Sequence, residues 1–140
     1  MIFADTSAVT KNYLDEVGSG LVRQIPMLCV SSLTHVECLS SFWKKHREKK
    51  ISYEDVAMLT TMLNDDWKEK STKFTIHPIT EETILLAGRF VQKYQLRAYD
   101  AVQLAQASII KKLKNETAWF LSFDKKLNTA AQREGFIVIN

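Results

Sequence analysis

Apolar residues fall along this chain in two kinds of run. Met1–Ala4, Met27–Val30 and Ala118–Leu121 are short continuous runs, each followed by polar residues. That is the pattern of strands buried on both faces. Phe74–Ile79 is a weaker strand, with Pro78 marking a sheet edge or a strand end, and Phe136–Ile139 is the last. Between the strands the apolar residues recur at helical spacing. After a helical stretch closed by Pro26, Ser31 and Ser32 are N-caps for a helix carrying Leu33, Val36, Leu39 and Phe42 as far as the basic run near Lys50. Ser52 caps the next, with a stripe of Val56, Leu59, Leu63 and Trp67. Thr80, followed by Glu81 and Glu82, starts a helix with Ile84, Leu85, Ala87, Phe90 and Val91, running to about Gln95. Ala98–Lys114 is apolar around most of its circumference and reads as a buried helix. A short helix from Asp124 to Glu134 ends at Gly135 as its C′ residue. Strands alternating with helices predict an α/β fold: a three-layer α/β/α sandwich around a mainly parallel sheet of four to five strands.

Composition narrows this without redirecting it. A chain of 140 residues suits one domain, and 4 Gly with 2 Pro favour long helices over loop-rich or all-β architectures. A net charge of +3 is too mild to demand a nucleic-acid partner and permits one. Cys29 and Cys38 lie among apolar residues outside any metal-binding spacing, as expected of core thiols in a reducing cytoplasm. No apolar run exceeds four residues, so no membrane span is expected, and the start of the chain lacks the basic region of a signal peptide.

Four carboxylates sit where this pattern expects apolar or neutral residues. Asp5 ends the first strand and Asp124 the fourth; Glu37 lies a turn into the helix after the second strand, and Asp100 in the first turn of the buried helix. Strand C-termini and the N-termini of the following helices share one edge of an open parallel sheet, where ligands bind. Singly, Asp5 and Asp124 read as helix caps and Asp100 as a complement to the helix dipole, whereas Glu37 has no such role. Together, four acids in one cleft repel each other, and a cation relieves that repulsion. An oxygen-only cluster without His or Cys selects a hard ion, Mg²⁺ or Mn²⁺.

The order of these motifs resembles the PIN-domain ribonucleases, specifically the VapC-like toxins of toxin–antitoxin pairs. Met1-Ile2-Phe3-Ala4-Asp5-Thr6-Ser7-Ala8 resembles their opening, and Ser31-Ser32-Leu33-Thr34-His35-Val36-Glu37 their second motif. Leu96-Arg97-Ala98-Tyr99-Asp100-Ala101 and Leu121-Ser122-Phe123-Asp124-Lys125-Lys126-Leu127 resemble the third and fourth. The resemblance spans residues 1–140 as one PIN-like domain. It implies metal-dependent cleavage of single-stranded or looped RNA, with Asp5 and Asp100 as central ligands of Mg²⁺ or Mn²⁺. Glu37 and Asp124 would complete the cluster directly or through water, with Thr6 and Ser122 as hydroxyls orienting the carboxylates. It also implies a cytoplasmic homodimer held by an antitoxin whose C-terminal segment wraps the toxin and can place a basic side chain in the acidic site. The apolar stripes of the Val56 and Ile84 helices offer surface for such a partner, although packing on the sheet is expected to take most of it.

Other classes fit less well. A phosphotransfer receiver would carry an acidic pair at the first strand, and a haloacid-dehalogenase phosphatase an Asp-x-Asp where Ser7 follows Asp5-Thr6. A non-catalytic PIN-like RNA-binding or scaffolding protein is the alternative; such relatives usually lack an acid, and all four remain. Lys44, Lys45, Arg47, Lys49 and Lys50 are expected to be a solvated helix end, with tracking of an RNA backbone as the other reading.

Overall fold

The structure, a computed structural model, describes residues 1–68 and 71–140. Strands β1 (Ile2–Ala4), β2 (Leu28–Ser31), β3 (Phe74–His77), β4 (Trp119–Leu121) and β5 (Ile137–Ile139) form one sheet in the order β3-β2-β1-β4-β5, with every pairing parallel. The weak strand β3 is an edge strand and stops one residue before Pro78, so both readings of that proline hold.

Alternate residues of each strand feed opposite cores, as a two-residue period requires. Phe3, Cys29 and Phe120 pack with α5 (Glu81–Tyr94), α6 (Ala98–Lys114) and α7 (Lys125–Arg133). Ala4, Leu28, Val30 and Leu121 face the other way, against α1 (Thr6–Val9), α2 (Ser19–Arg23), α3 (Leu33–Arg47) and α4 (Tyr53–Asp66). The α/β/α layering is therefore the one expected. The two cysteines are free, buried and on opposite sides of the sheet. Among the described residues, no helix is long and apolar enough to cross a membrane.

Capping follows the sequence with one adjustment. Ser52 and Thr80 each close a reciprocal capping box, with Asp55 and Thr83. At α3 the hydroxyl that accepts a helix N–H is that of Ser31, bonded to Leu33 N at 3.0 Å; the Ser32 hydroxyl accepts from Ile79 N instead. Gly135 follows α7 in the left-handed region at φ +78°, as a C′ residue does.

Two helices bury only part of the stripe their apolar spacing predicts, Phe42 in α3 and Ala87 and Phe90 in α5, and turn a threonine inward beside it. In α3 the buried residues are Thr34, Cys38 and Phe42, while Val36 is 56% exposed. In α5 they are Thr83, Ala87 and Phe90, and Ile84, Leu85 and Val91 remain exposed. Both helices thereby bring a threonine to a glutamine of α6: Thr34 bonds Gln103, and Thr83 bonds the Gln106 carbonyl oxygen at 2.7 Å. Val56, Leu59 and Leu63 of α4 pack inward as expected.

Candidate active site

Asp5 is the first residue beyond the central strand. Its N–H bonds the Leu121 carbonyl, extending the β1–β4 ladder and leaving its side chain at the C-terminal edge of the sheet. It is 4% exposed. One carboxyl oxygen accepts from Ser7 Oγ at 2.7 Å and from Ala8 N at 3.1 Å, so Asp5 does cap α1. The other accepts from Ser122 Oγ at 3.0 Å. Those two serines are themselves fixed, Ser7 Oγ accepting from Phe123 N and Ser122 Oγ from Asp124 N. Backbone of the β4–α7 turn thus holds the hydroxyls that hold Asp5.

Glu37 lies across the opening from α1. Its Oε2 accepts from Thr6 Oγ1 at 2.6 Å and from Gln103 Nε2 at 2.5 Å. Asp100 stands in the first turn of α6, half-buried, and Asp124 is exposed, with one oxygen accepting from Leu127 N at 2.7 Å as the cap of α7. Thr6 therefore orients Glu37, and Ser122 orients Asp5. Among the described residues, no three His, Cys, Asp or Glu side chains are set closely enough to hold a metal ion as they stand. Glu37 and Asp124 are instead turned onto hydrogen-bond donors of the protein.

The acids nonetheless act on one another. Burial pushes the Asp5 carboxyl up to about 7; bonds from Ser7, Ala8 N and Ser122 pull against this, and the charge of Asp100 adds to it. Asp100 is also raised, first by burial and then by the charges of Asp124 and Glu37, with Arg97 and Lys126 opposing. Among the described residues, no Lys, Arg or His pairs with any of the four carboxylates. The donors gathered here are oxygens only, the donor type of a hard divalent cation, and Arg97 and Lys126 offset part of their charge.

Sequence reading missed two participants. Ser7 looks like an ordinary first-turn residue, and only its contact across the sheet reveals it. Gln103, 2% exposed, bonds Glu37 and also Thr34 Oγ1 at 3.0 Å. Its signal was legible: an uncharged polar residue one turn after Asp100 on a helix apolar around most of its circumference must find buried partners. Replacing it by leucine strips Glu37 and Thr34 of that donor. Gln103→Leu is expected to lower stability by about 1–3 kcal/mol, read from urea unfolding at unchanged slope.

The opening leads into a cavity of about 720 Å³ lined by Thr6, Ser7, Glu37, Ser40, Arg97 and Tyr99, among others. Tyr99 is 62% exposed at its mouth.

A family model of the PIN domain matches residues 2–132. Among solved structures, VapC20 of Mycobacterium tuberculosis, a sarcin–ricin loop cleaving toxin, is similar with a TM-score of 0.65 at 15% identity, over 98% of this chain and 97% of that one. A protein from Pyrobaculum aerophilum gives 0.65 at 14% identity, over 98% and 82%. A chain of a toxin–antitoxin complex from Klebsiella pneumoniae gives 0.59 at 18% identity, over 100% and 97%. At these identities the likeness is one of fold. No curated protein matches the chain.

Proposed function

Because the chain belongs to the PIN-domain family, we propose that it is a Mg²⁺- or Mn²⁺-dependent endoribonuclease, one PIN-like domain over residues 1–140, acting in the cytoplasm as the toxin of a toxin–antitoxin pair. The observation that carries this reading is the carboxyl of Asp5, buried at the C-terminal edge of the sheet, raised to about 7 and acted on by the charge of Asp100, with no salt bridge to either among the described residues. Carboxyls shifted by burial and by a like charge beside them concentrate at functional sites.

In this reading Asp5 and Asp100 hold the ion, and Glu37 and Asp124 complete its surroundings directly or through water. When bound, the ion supplies charge neutralisation at the phosphodiester and a more acidic water. The remaining tasks fall to the chain itself. Ser7 and Ser122 fix both oxygens of Asp5, so its orientation is set before any substrate arrives. Thr6 and Gln103 share one oxygen of Glu37 and leave the other unengaged by protein hydrogen bonds among the described residues. Burial of Asp5 keeps water from screening the charges there.

The partners proposed are an RNA substrate, a cognate antitoxin and a second copy in a homodimer. The similar Klebsiella chain comes from a complex of toxin and antitoxin, and the exposed Ile84, Leu85 and Val91 leave apolar surface on α5 for a protein partner.

Purified protein should cleave RNA with Mg²⁺ or Mn²⁺ and stop on adding EDTA. Asp100→Asn should keep its circular dichroism and lose cleavage. RNA binding without cleavage under any divalent ion would favour the scaffolding alternative.

A further inference from the structure

The run Lys44–Lys50 was expected to be a solvated helix end, and the structure gives part of it a specific place. A cavity of about 310 Å³ lies between α1, the 3₁₀ turn Thr10–Asn12 and the C-terminal half of α3, with Lys11, Glu16, Lys44, Lys45, Glu48 and Lys50 in its lining. Ser7, Thr10, Ser41 and Lys44 line both this cavity and the one that opens at Glu37. The two are therefore one trough. Its wall is a single face of α3, because Glu37, Ser40, Ser41, Lys44 and Glu48 recur every three to four residues. Along that face the chemistry changes from acid, through neutral hydroxyls, to ammonium groups.

Charge at the far end is unbalanced. Lys11, Lys44, Lys45 and Lys50 face only Glu16 and Glu48, a local excess of two. Glu16 is taken by Lys45 at 2.5 Å and Lys11 at 3.1 Å, and Glu48 by Lys50 at 2.7 Å. Lys44 reaches Glu48 only at 4.0 Å and is largely exposed. Exposed pairs of this kind contribute at most about 1 kcal/mol, so a phosphate can displace the carboxylate at little cost. Lys44 lies about 10 Å along the helix from Glu37, at 1.5 Å per residue.

We propose that this trough seats the backbone of the RNA, its scissile phosphate at the end where Glu37 and Arg97 stand and its neighbouring phosphates on Lys44 and Lys50. This rests on the nuclease reading and adds where and in which direction the backbone lies. The hydroxyls of Ser40 and Ser41 between the two ends can donate to phosphate oxygens without adding charge.

The experiment is steady-state cleavage of a labelled single-stranded oligoribonucleotide over a series of salt concentrations. It compares the native chain, the Lys44→Ala/Lys50→Ala double variant, the Lys44→Arg/Lys50→Arg variant, and Lys112→Ala. Lys112 is an exposed lysine in the last turns of α6, towards the opposite edge of the sheet. The double alanine variant should raise KM about tenfold at unchanged kcat, and reduce the dependence of log KM on log salt by about 1.4, roughly 0.7 per lost phosphate contact. The arginine variant and Lys112→Ala should match the native chain. A double alanine variant with native KM and native salt dependence overturns the track and leaves the nuclease reading standing, as does a fall in kcat at unchanged KM. A native chain that cuts no RNA removes both.

Discussion

Asp5→Asn is expected to abolish cleavage and, in EDTA near pH 8, to melt at a higher temperature than the native chain. Asparagine is the same shape and keeps the hydrogen bonds: its carbonyl can accept from Ser7 and Ala8 N, and its amide can donate to Ser122 Oγ. What it removes is a buried charge. The carboxyl is raised from 3.8 to about 7 in the folded chain. Between those values the folded state holds a proton that the unfolded state has released, so stability falls as pH rises, and above about pH 7 the whole penalty is present. A gap of that size corresponds to about 4 kcal/mol. The variant escapes it, so the difference in melting temperature should be near zero at about pH 4 and grow through neutrality. Cleavage in the same variant should drop by about a thousandfold or more, because a ligand of the ion and a fixed charge are lost together. A variant that melts lower than native at pH 8, or by a margin indifferent to pH, would mean that Asp5 serves the fold more than the chemistry.

The second large effect belongs to the core beneath. Phe120 on β4 is fully buried, stacked on Phe3 at 5.8 Å between ring centroids and edge-on to Phe136 at 5.6 Å. Phe120→Ala removes the ring that joins β1 to the α5–α7 layer, and the parallel sheet around it cannot collapse to fill the space. A loss of about 3–5 kcal/mol is expected, a large share of the roughly 5–15 kcal/mol that holds a protein of this kind folded. Urea unfolding should show the midpoint falling at an unchanged slope. A loss below about 1 kcal/mol would mean that the core relaxes around the gap.

The same physics explains what could be read from the chain beforehand. Buried parallel strands need apolar residues on both faces, so Met1–Ala4 and Ala118–Leu121 stand out in the sequence without any partner being known. The acids Asp5 and Asp124 are equally visible, because a polar residue that ends such a run must lie at the sheet's edge. The helix faces were not so legible. Spacing alone puts Val36 inward; the fold puts Thr34 and Cys38 there, since the bonds among Thr34, Gln103 and Glu37 fix how α3 is turned. Periodicity counts apolar residues, and it has no means of registering a threonine buried because a glutamine of another helix needs it. Ser7 was hidden for a related reason: its partners, Asp5 and the Phe123 N–H, are set by a β1–β4 pairing that joins residues far apart in the chain.

That pairing also governs when the molecule comes into being. Phe3 lies beside Phe120, so β1 waits for a strand far along the chain before it has neighbours on both sides. Contacts of such long sequence separation form late in folding. Ser122, which holds one oxygen of Asp5, and Asp124 arrive with the same late segment, and Asp100 only a little earlier. A growing chain cannot assemble the four acids until translation has passed the Asp124 codon. Under the nuclease reading, each copy is harmless to the ribosome making it until that segment has been made, and a chain cut short before β4 never becomes dangerous.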